Sequence, residues 1–232
     1  MLEQNKITVQ ALYAGSLRTL EPEGQQTGIF KSSIQTAKVT REGIVGDHQA
    51  DRRVHGGSEK ALHQYALSSY ASIAAEYPEL QGIAVSGSIG ENISSSHLND
   101  ATVCIGDCYR LGDVLVQVSQ PRLPCWKINH RFNIKKLSQF IEKQRITGWY
   151  YRVIETGSIR IGDAITLIER PNETASIDHF MHLSKQHRPN LDALYTLAIC
   201  EGLTPEWKKK LEQRCTYLRQ QKLRQGESAH DG

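Results

Sequence analysis

The fold is decided by residues 114–129, which read VLVQVSQPRLPCWKIN. Valines at positions 114, 116 and 118 fall on one face and the residues between them on the other, which is the pattern of a half-buried β-strand. Pro121 and Pro124 then end the strand, because proline has no N–H to contribute to a ladder. The stretch therefore predicts a strand followed by a proline-stiffened loop.

Cys125 lies in that loop between two basic residues, Arg122 and Lys127. Cations near a thiol favour the thiolate, which is the nucleophilic and metal-binding form. A lone cysteine is also commonly a small buried hydrophobe. Two interpretations therefore stay open at this point, a structural core thiol and a functional thiol displayed at a strand end.

Composition restricts the classes of protein to consider. The chain has 232 residues, of which 39% are hydrophobic and 23% charged, enough for a folded protein with a substantial core. A formal net charge of +3 is too small to indicate stable nucleic-acid binding. No apolar run is long enough to cross a bilayer, and the first residues lack a signal-peptide apolar segment. We therefore expect a cytoplasmic protein without a membrane part.

Five cysteines are present, an odd number that favours reduced thiols in such a compartment. Cys104 and Cys108 are four residues apart, but no second cysteine pair or histidine pair completes a zinc or iron–sulfur pattern. We expect both to be core thiols.

A second informative stretch, GIVGDHQADRRVHGG, occupies residues 43–57. A long polar loop inside a compact domain usually has a function. Gly56 and Gly57 let the backbone approach a ligand, and their N–H groups could meet an anion. Four basic residues surround the two glycines: Arg52, Arg53, His55 and Lys60. Each cation alone is typical of a solvated surface, whereas the cluster beside two glycines favours an anion site. Further on, Glu91 and Asn92 lie in a Gly-flanked loop, where they could hydrogen-bond to the edge of a heterocyclic ligand or only stabilise a turn.

The remaining patterns predict a mainly β domain with a few inserted helices. Apolar spacing predicts a helix after Ser68 or Ser69 that ends at Pro78, and another after the cysteine loop, capped by Asn133. Repeated Gly-Asp turns between short strands are typical of a β-barrel or sandwich. Beyond residue 174 the spacing is helical, and Thr204-Pro205 predicts the start of a third tail helix. We expect a β-barrel-like domain over 1–170 and a small α-helical C-terminal domain over 174–232.

Together these motifs resemble those of MOSC-domain proteins, named for the C-terminal domain of molybdenum cofactor sulfurases. The matching runs, in order, are GDHQAD (46–51), VHGG (54–57), GEN (90–92), SQPRLPCWK (119–127), GW (148–149) and GD (162–163). The helical tail resembles the extension of the YiiM-like branch. One departure is visible, since similar proteins often carry His-Tyr where this chain has Gln64-Tyr65.

The resemblance implies a domain that holds molybdenum cofactor (Mo-molybdopterin) with Cys125 as the protein ligand to the metal. It implies that Gly56, Gly57, Lys60 and Arg122 hold the anionic end of the cofactor. His55 would be a proton donor or cofactor contact, and Glu91 and Asn92 would face pterin or substrate.

Relatives of this kind reduce N-hydroxylated compounds, including hydroxylaminopurines. Because the chain has no iron–sulfur cysteine set, such a reductase would need an external electron-donor reductase as its partner. Two alternatives stay open: a sulfur carrier that uses a Cys125 persulfide, and a non-catalytic cofactor-binding module. The sequence leaves the oligomeric state open.

Overall fold

A computed structural model describes residues 7–51 and 56–227, with the side chains of 225–227 excepted. Arg52, Arg53 and His55, three of the predicted loop residues, lie outside the described residues. Within the described part, no helix is long and apolar enough to span a membrane.

The described strands and helices are numbered in chain order. The strands are β1 (Ala11–Ala14), β2 (Arg18–Leu20), β3 (Gln25–Thr27), β4 (Ser32–Ile34), β5 (Thr36–Thr40), β6 (Gly43–Ile44), β7 (Leu62–Ala66), β8 (Ile93–Ser95), β9 (Cys108–Leu111), β10 (Val114–Pro121), β11 (Trp149–Glu155), β12 (Gly157–Arg160) and β13 (Ile165–Glu169). The α-helices are α1 (Leu67–Glu76), α2 (Trp126–Phe132), α3 (Leu137–Lys143), α4 (Ile177–Lys185), α5 (Leu191–Ala198) and α6 (Pro205–Glu227).

An eight-stranded sheet organises the molecule, in the order β13-β9-β10-β11-β7-β8-β1-β4. β7 and β8 pair in parallel, and the other neighbours in this sheet are antiparallel. β12, β5 and β6 form a second sheet, and β2 and β3 form a separate hairpin. The prediction of a mainly β fold followed by helices is confirmed, although the ladder of described strands does not close into a barrel.

β10 lies inside this sheet, between β9 and β11. Its alternating valines are fully buried, as predicted for the face that packs on the core. The last paired residue is Pro121, opposite Trp149 of β11. Just beyond it, the Arg122 backbone N–H donates to the Gly148 carbonyl at 3.0 Å. The cysteine loop therefore leaves the sheet at a fixed point.

The three C-terminal helices pack on the sheet through a shared apolar cluster. That cluster contains Val116 and Tyr151 of the sheet together with Phe180, Leu194 and Trp207 of the helices. The backbone also crosses between the two parts, because Thr204 N–H donates to the Ser119 carbonyl at 3.2 Å. The division into 1–170 and 174–232 stays a prediction.

Two details of the helix predictions were wrong. Asn133 does not cap a following helix: it ends α2 in the left-handed region, with φ of 53°, and α3 begins at Leu137. Asparagine tolerates that conformation better than most residues, so the same side chain that suits an N-cap also suits a C-terminal stop. α1 begins after Ala66, without a side-chain cap from serine. The cap at Thr204 is confirmed, since its Oγ1 accepts from Trp207 N–H at 3.4 Å.

Candidate functional site

A cleft-like cavity that is partly open to solvent lies beside the end of β10. Six side chains in its wall carry the chemistry: Lys31, Lys60, His63, Arg122, Cys125 and Tyr150. Cys125 and Arg122 come from the loop after β10, and Lys60 comes from the short turn Ser58–Lys60 before β7. Five of these groups lie on or next to β10, β11 and β7, which neighbour one another in the sheet, and Lys31 comes from the segment between β3 and β4.

Arg122 is the most unusual group in this wall. Its side chain is buried, with 5% of the residue exposed. The guanidinium hydrogen-bonds to Tyr150, but Nε and Nη1 have no hydrogen-bond partner among the described residues. A buried charge with idle donors is unfavourable unless something compensates it. The arrangement therefore fits an anion delivered from outside the described chain.

Asp100 braces the turn that fixes Arg122. Its Oδ1 accepts from Thr147 N–H at 2.8 Å, Thr147 Oγ1–H at 3.2 Å and Gly148 N–H at 2.9 Å. Gly148 in turn accepts the Arg122 backbone N–H. Burial raises the pKa of Asp100 to about 6. Sequence reasoning missed this residue, because an Asn-Asp pair 22 residues before the cysteine loop reads as an ordinary turn.

Cys125 is half-buried and lines the cavity directly before α2. Trp126 follows it and is 43% exposed at the surface. The other four cysteines do not line the cavity. Burial raises the pKa of Cys104, Cys108 and Cys215, and raises that of Cys200 to about 11. Cys104 is buried as predicted, and so are Cys200 and Cys215, whereas Cys108 is only partly buried. Of the five thiols, Cys125 is the one that lines the cavity.

The positive charges of the two lysines in the wall are compensated to different extents. Lys31 Nζ pairs with Asp47, both side chains being almost fully buried, and burial lowers the pKa of Lys31. Lys60 Nζ lies 3.6 Å from Oε2 of Glu206, a largely exposed side chain in the first turn of α6. An exposed partner at that distance compensates little. Lys60 and Arg122 therefore bring weakly compensated positive charge to the wall.

Asn92 and Glu91 point to different surroundings. Asn92 lines the cavity, but its amide is fully engaged: Nδ2 donates to Tyr13 O at 3.1 Å and to Asp47 Oδ2 at 2.9 Å, and Oδ1 accepts from His63 N–H at 3.1 Å. Asn92 thus holds the wall together.

The Glu91 side chain is fully buried and does not line the cavity. Its carboxylate accepts from Tyr70 Oη–H at 2.6 Å and from Gly87 N–H at 2.6 Å. The structure therefore brings Asn92, but not Glu91, to the cavity, and Glu91 anchors a turn.

Of the two glycines in the basic loop, Gly57 contacts Lys60 through its backbone. Gly57 has φ of 85°, and its carbonyl accepts Lys60 N–H at 2.9 Å. The described wall includes Lys60 but neither Gly56 nor Gly57. A side chain at Gly57 would be strained in that conformation.

Comparison with known proteins agrees with the motifs. A MOSC domain is matched over residues 51–166. Protein YiiM of Escherichia coli K12 is 32% identical over 209 residues, covering 88% of this chain and 90% of YiiM. The chain belongs to the MOSC domain family. The crystal structure of YiiM from Geobacillus stearothermophilus superposes with a TM-score of 0.75 at 27% identity, covering 90% of this chain and 99% of that one.

A third relative is a longer protein. A Gibberella moniliformis protein named "Reductase" is 39% identical over 153 residues, which are 66% of this chain and 27% of that protein. MOSC domains are a molybdenum-cofactor-binding family. The cavity of this MOSC protein fits such a group, because it combines a soft thiol ligand with idle, buried guanidinium donors suited to phosphate.

His63 and Tyr150 are cavity residues that sequence reasoning did not assign. They are opposite each other in the β7–β11 ladder, and their ring centroids are 5.4 Å apart. Gln64, where this MOSC protein departs from similar ones, does not line the cavity. Its Nε2 donates to Ser95 Oγ at 2.7 Å, and its Oε1 accepts from Tyr151 Oη–H at 2.9 Å. The departure therefore leaves the described cavity wall unchanged.

Proposed function

We propose that this MOSC protein binds molybdenum cofactor in the Cys125 cavity and reduces N-hydroxylated compounds, such as hydroxylaminopurine-type bases and hydroxylamines. The observation that carries the proposal is that the cavity's thiol shares its wall with Arg122, whose buried Nε and Nη1 have no hydrogen-bond partner among the described residues. The relative named "Reductase" supports the oxidoreductase class.

Each residue has a distinct part in this proposal. Cys125 Sγ would be the protein ligand to molybdenum, because thiolate is a soft ligand. Arg122 Nε and Nη1 would donate to the anionic end of the cofactor, with Lys60 adding charge. Asn92 and Asp100 keep the wall in place. His55 stays a proposed proton donor that lies outside the described residues.

The bound cofactor would supply the redox chemistry, and the chain would supply binding, orientation and protons. In the net reaction, R–NHOH takes up two electrons and two protons; the N–O bond breaks, and R–NH2 and water are released. The five cysteines do not form an iron–sulfur set, so we propose that the electrons come from a separate reductase protein.

The test is metal and pterin analysis of protein purified without oxygen, together with reduction of a hydroxylaminopurine by chemically reduced viologen. We expect about one molybdenum and one pterin per chain, and turnover that Cys125→Ser abolishes. A labile sulfane sulfur on Cys125 without molybdenum would instead favour the sulfur carrier. Cofactor without turnover on any N-hydroxylated substrate would favour the non-catalytic module.

A further inference from the structure

The hairpin formed by β2 and β3 is attached to the fold differently from the other strands. It pairs only with itself among the described strands, from Arg18 opposite Thr27 to Leu20 opposite Gln25. Leu20 is buried, yet it belongs to neither of the two apolar clusters that the described residues form. Moving the hairpin would expose Leu20 but would not remove a residue from either cluster.

Two polar contacts join the hairpin to α2. Lys127 Nζ donates to the Gln26 carbonyl at 2.6 Å. His130 Nε2 lies 2.9 Å from Glu23 Oε2, with the two side chains 26% and 39% exposed. Both partners in α2 lie within five residues of Cys125 in the sequence.

An aromatic contact lies close to the same junction. The Arg131 guanidinium carbon of α2 is 4.5 Å from the centroid of the Phe30 ring, and that of Arg18 in β2 is 5.6 Å from it. Cation–π contacts of this kind add a modest attraction. The side of the hairpin that continues into Phe30 thus faces α2.

Both parts of this junction also line the cavity. Thr27 and Gly28, at the end of the hairpin, form one part of the wall. Cys125 and Lys127, at the start of α2, form another. The contacts between the hairpin and α2 therefore lie along the rim of the cavity that contains the thiol.

We propose that the β2–β3 hairpin is a flap that controls access to Cys125, and that the Glu23–His130 contact is its latch to α2. The polar contacts across the junction are partly exposed and individually weak, so the burial of Leu20 is the main apolar contribution that opening would lose. A segment held by few such contacts opens more readily than the core, which is the usual property of an active-site lid. The flap would admit ligands to the cavity when it swings away from α2.

The test measures the alkylation rate of Cys125 by iodoacetamide in the full-length chain prepared without molybdenum, resolved by peptide mass spectrometry. Glu23→Gln and His130→Gln should each raise the rate about fivefold, as expected from losing a contact worth up to about 1 kcal/mol. The double variant should react no faster than either single one, because both remove the same contact.

The matched control is Glu21→Gln, which makes the same charge change in the same hairpin. Glu21 has no ion pair or hydrogen bond with any residue of the described part. Its variant should keep the wild-type rate, and Cys108 should react at one rate throughout as an internal reference. Unchanged rates in Glu23→Gln and His130→Gln would overturn the proposal, and so would an equal rise in Glu21→Gln. Since the assay uses metal-free protein, its result is independent of whether the proposed reductase activity is found.

Discussion

Replacing Arg122 by methionine should change stability and cofactor binding in opposite directions. The buried guanidinium has two nitrogen atoms without partners among the described residues. Without the cofactor, the buried charge lowers the free energy of unfolding, whereas with the cofactor it contributes to binding. If Arg122 served only to stabilise the fold, its replacement would lower the stability of the cofactor-free protein and would leave cofactor affinity unchanged.

The expected sizes follow from the contacts. Replacing a buried, poorly compensated charge by an apolar side chain of similar volume gains about 1–4 kcal/mol, and losing the hydrogen bond to Tyr150 costs about 1 kcal/mol. The free energy of unfolding of cofactor-free Arg122→Met should therefore rise by roughly 0–3 kcal/mol. Two charge-assisted hydrogen bonds to the cofactor are worth at least about 3 kcal/mol together, which lowers its affinity by more than about 100-fold.

The assay pairs urea unfolding of cofactor-free protein with pterin and molybdenum retained per chain after dialysis. Arg170→Met is the matched control, because Arg170 is fully engaged with Asp107 at 2.9 and 2.7 Å and does not line the cavity. It should lose stability and keep cofactor. A loss of stability in cofactor-free Arg122→Met, or normal cofactor retention, would refute the reasoning.

Four further predictions follow from the structure. Cys125→Ser should lose molybdenum, while its unfolding midpoint should equal that of wild type when both are cofactor-free; metal analysis and urea unfolding check the two outcomes. Cys104→Ala should lose about 1–3 kcal/mol of stability but keep molybdenum; loss of metal there would show that the wrong thiol was chosen. Because the pKa of Asp100 is raised to about 6, the folded state binds its proton more tightly than the unfolded state. The stability of wild type relative to Asp100→Asn should therefore fall as pH rises from about 4 to 6, by at most about 1.4 kcal/mol per pH unit; a flat difference would contradict this. A chain ending at residue 172 should keep the sheet's circular dichroism yet self-associate, because it uncovers the face under Phe180 and Trp207; loss of cooperative unfolding would show that sheet and helices fold as one unit.

Local patterns sufficed for much of the fold. Alternating valines predicted β10, and Thr204-Pro205 predicted the start of α6, because each signal depends on a few neighbouring residues. Cys125 and Arg122 were found together for the same reason, since one loop carries both. Lys60 was found through the glycines before it.

The rest of the cavity depends on pairing between distant strands. His63 meets Tyr150 only because β7 and β11 share a register, which no local pattern fixes. Glu91 and Asn92 were treated as one pair, but the two adjacent side chains have different surroundings. One of the two faces the wall, and the other is turned into the protein. Asp100 acts through Gly148, 48 residues away in sequence, so its contribution was invisible before the fold was known.

The placement of the three tryptophans gives the protein an optical reporter. Trp149 and Trp207 are buried, whereas Trp126 is exposed beside Cys125. The long-wavelength part of the fluorescence emission should therefore come mainly from Trp126, and the short-wavelength part from Trp149 and Trp207. Iodide would quench the emission of the exposed Trp126 first. A change in the fraction of emission that iodide quenches would therefore report a change in the exposure of Trp126 at the cavity rim, without any label on the protein. The Trp126→Phe variant would supply the baseline for such titrations.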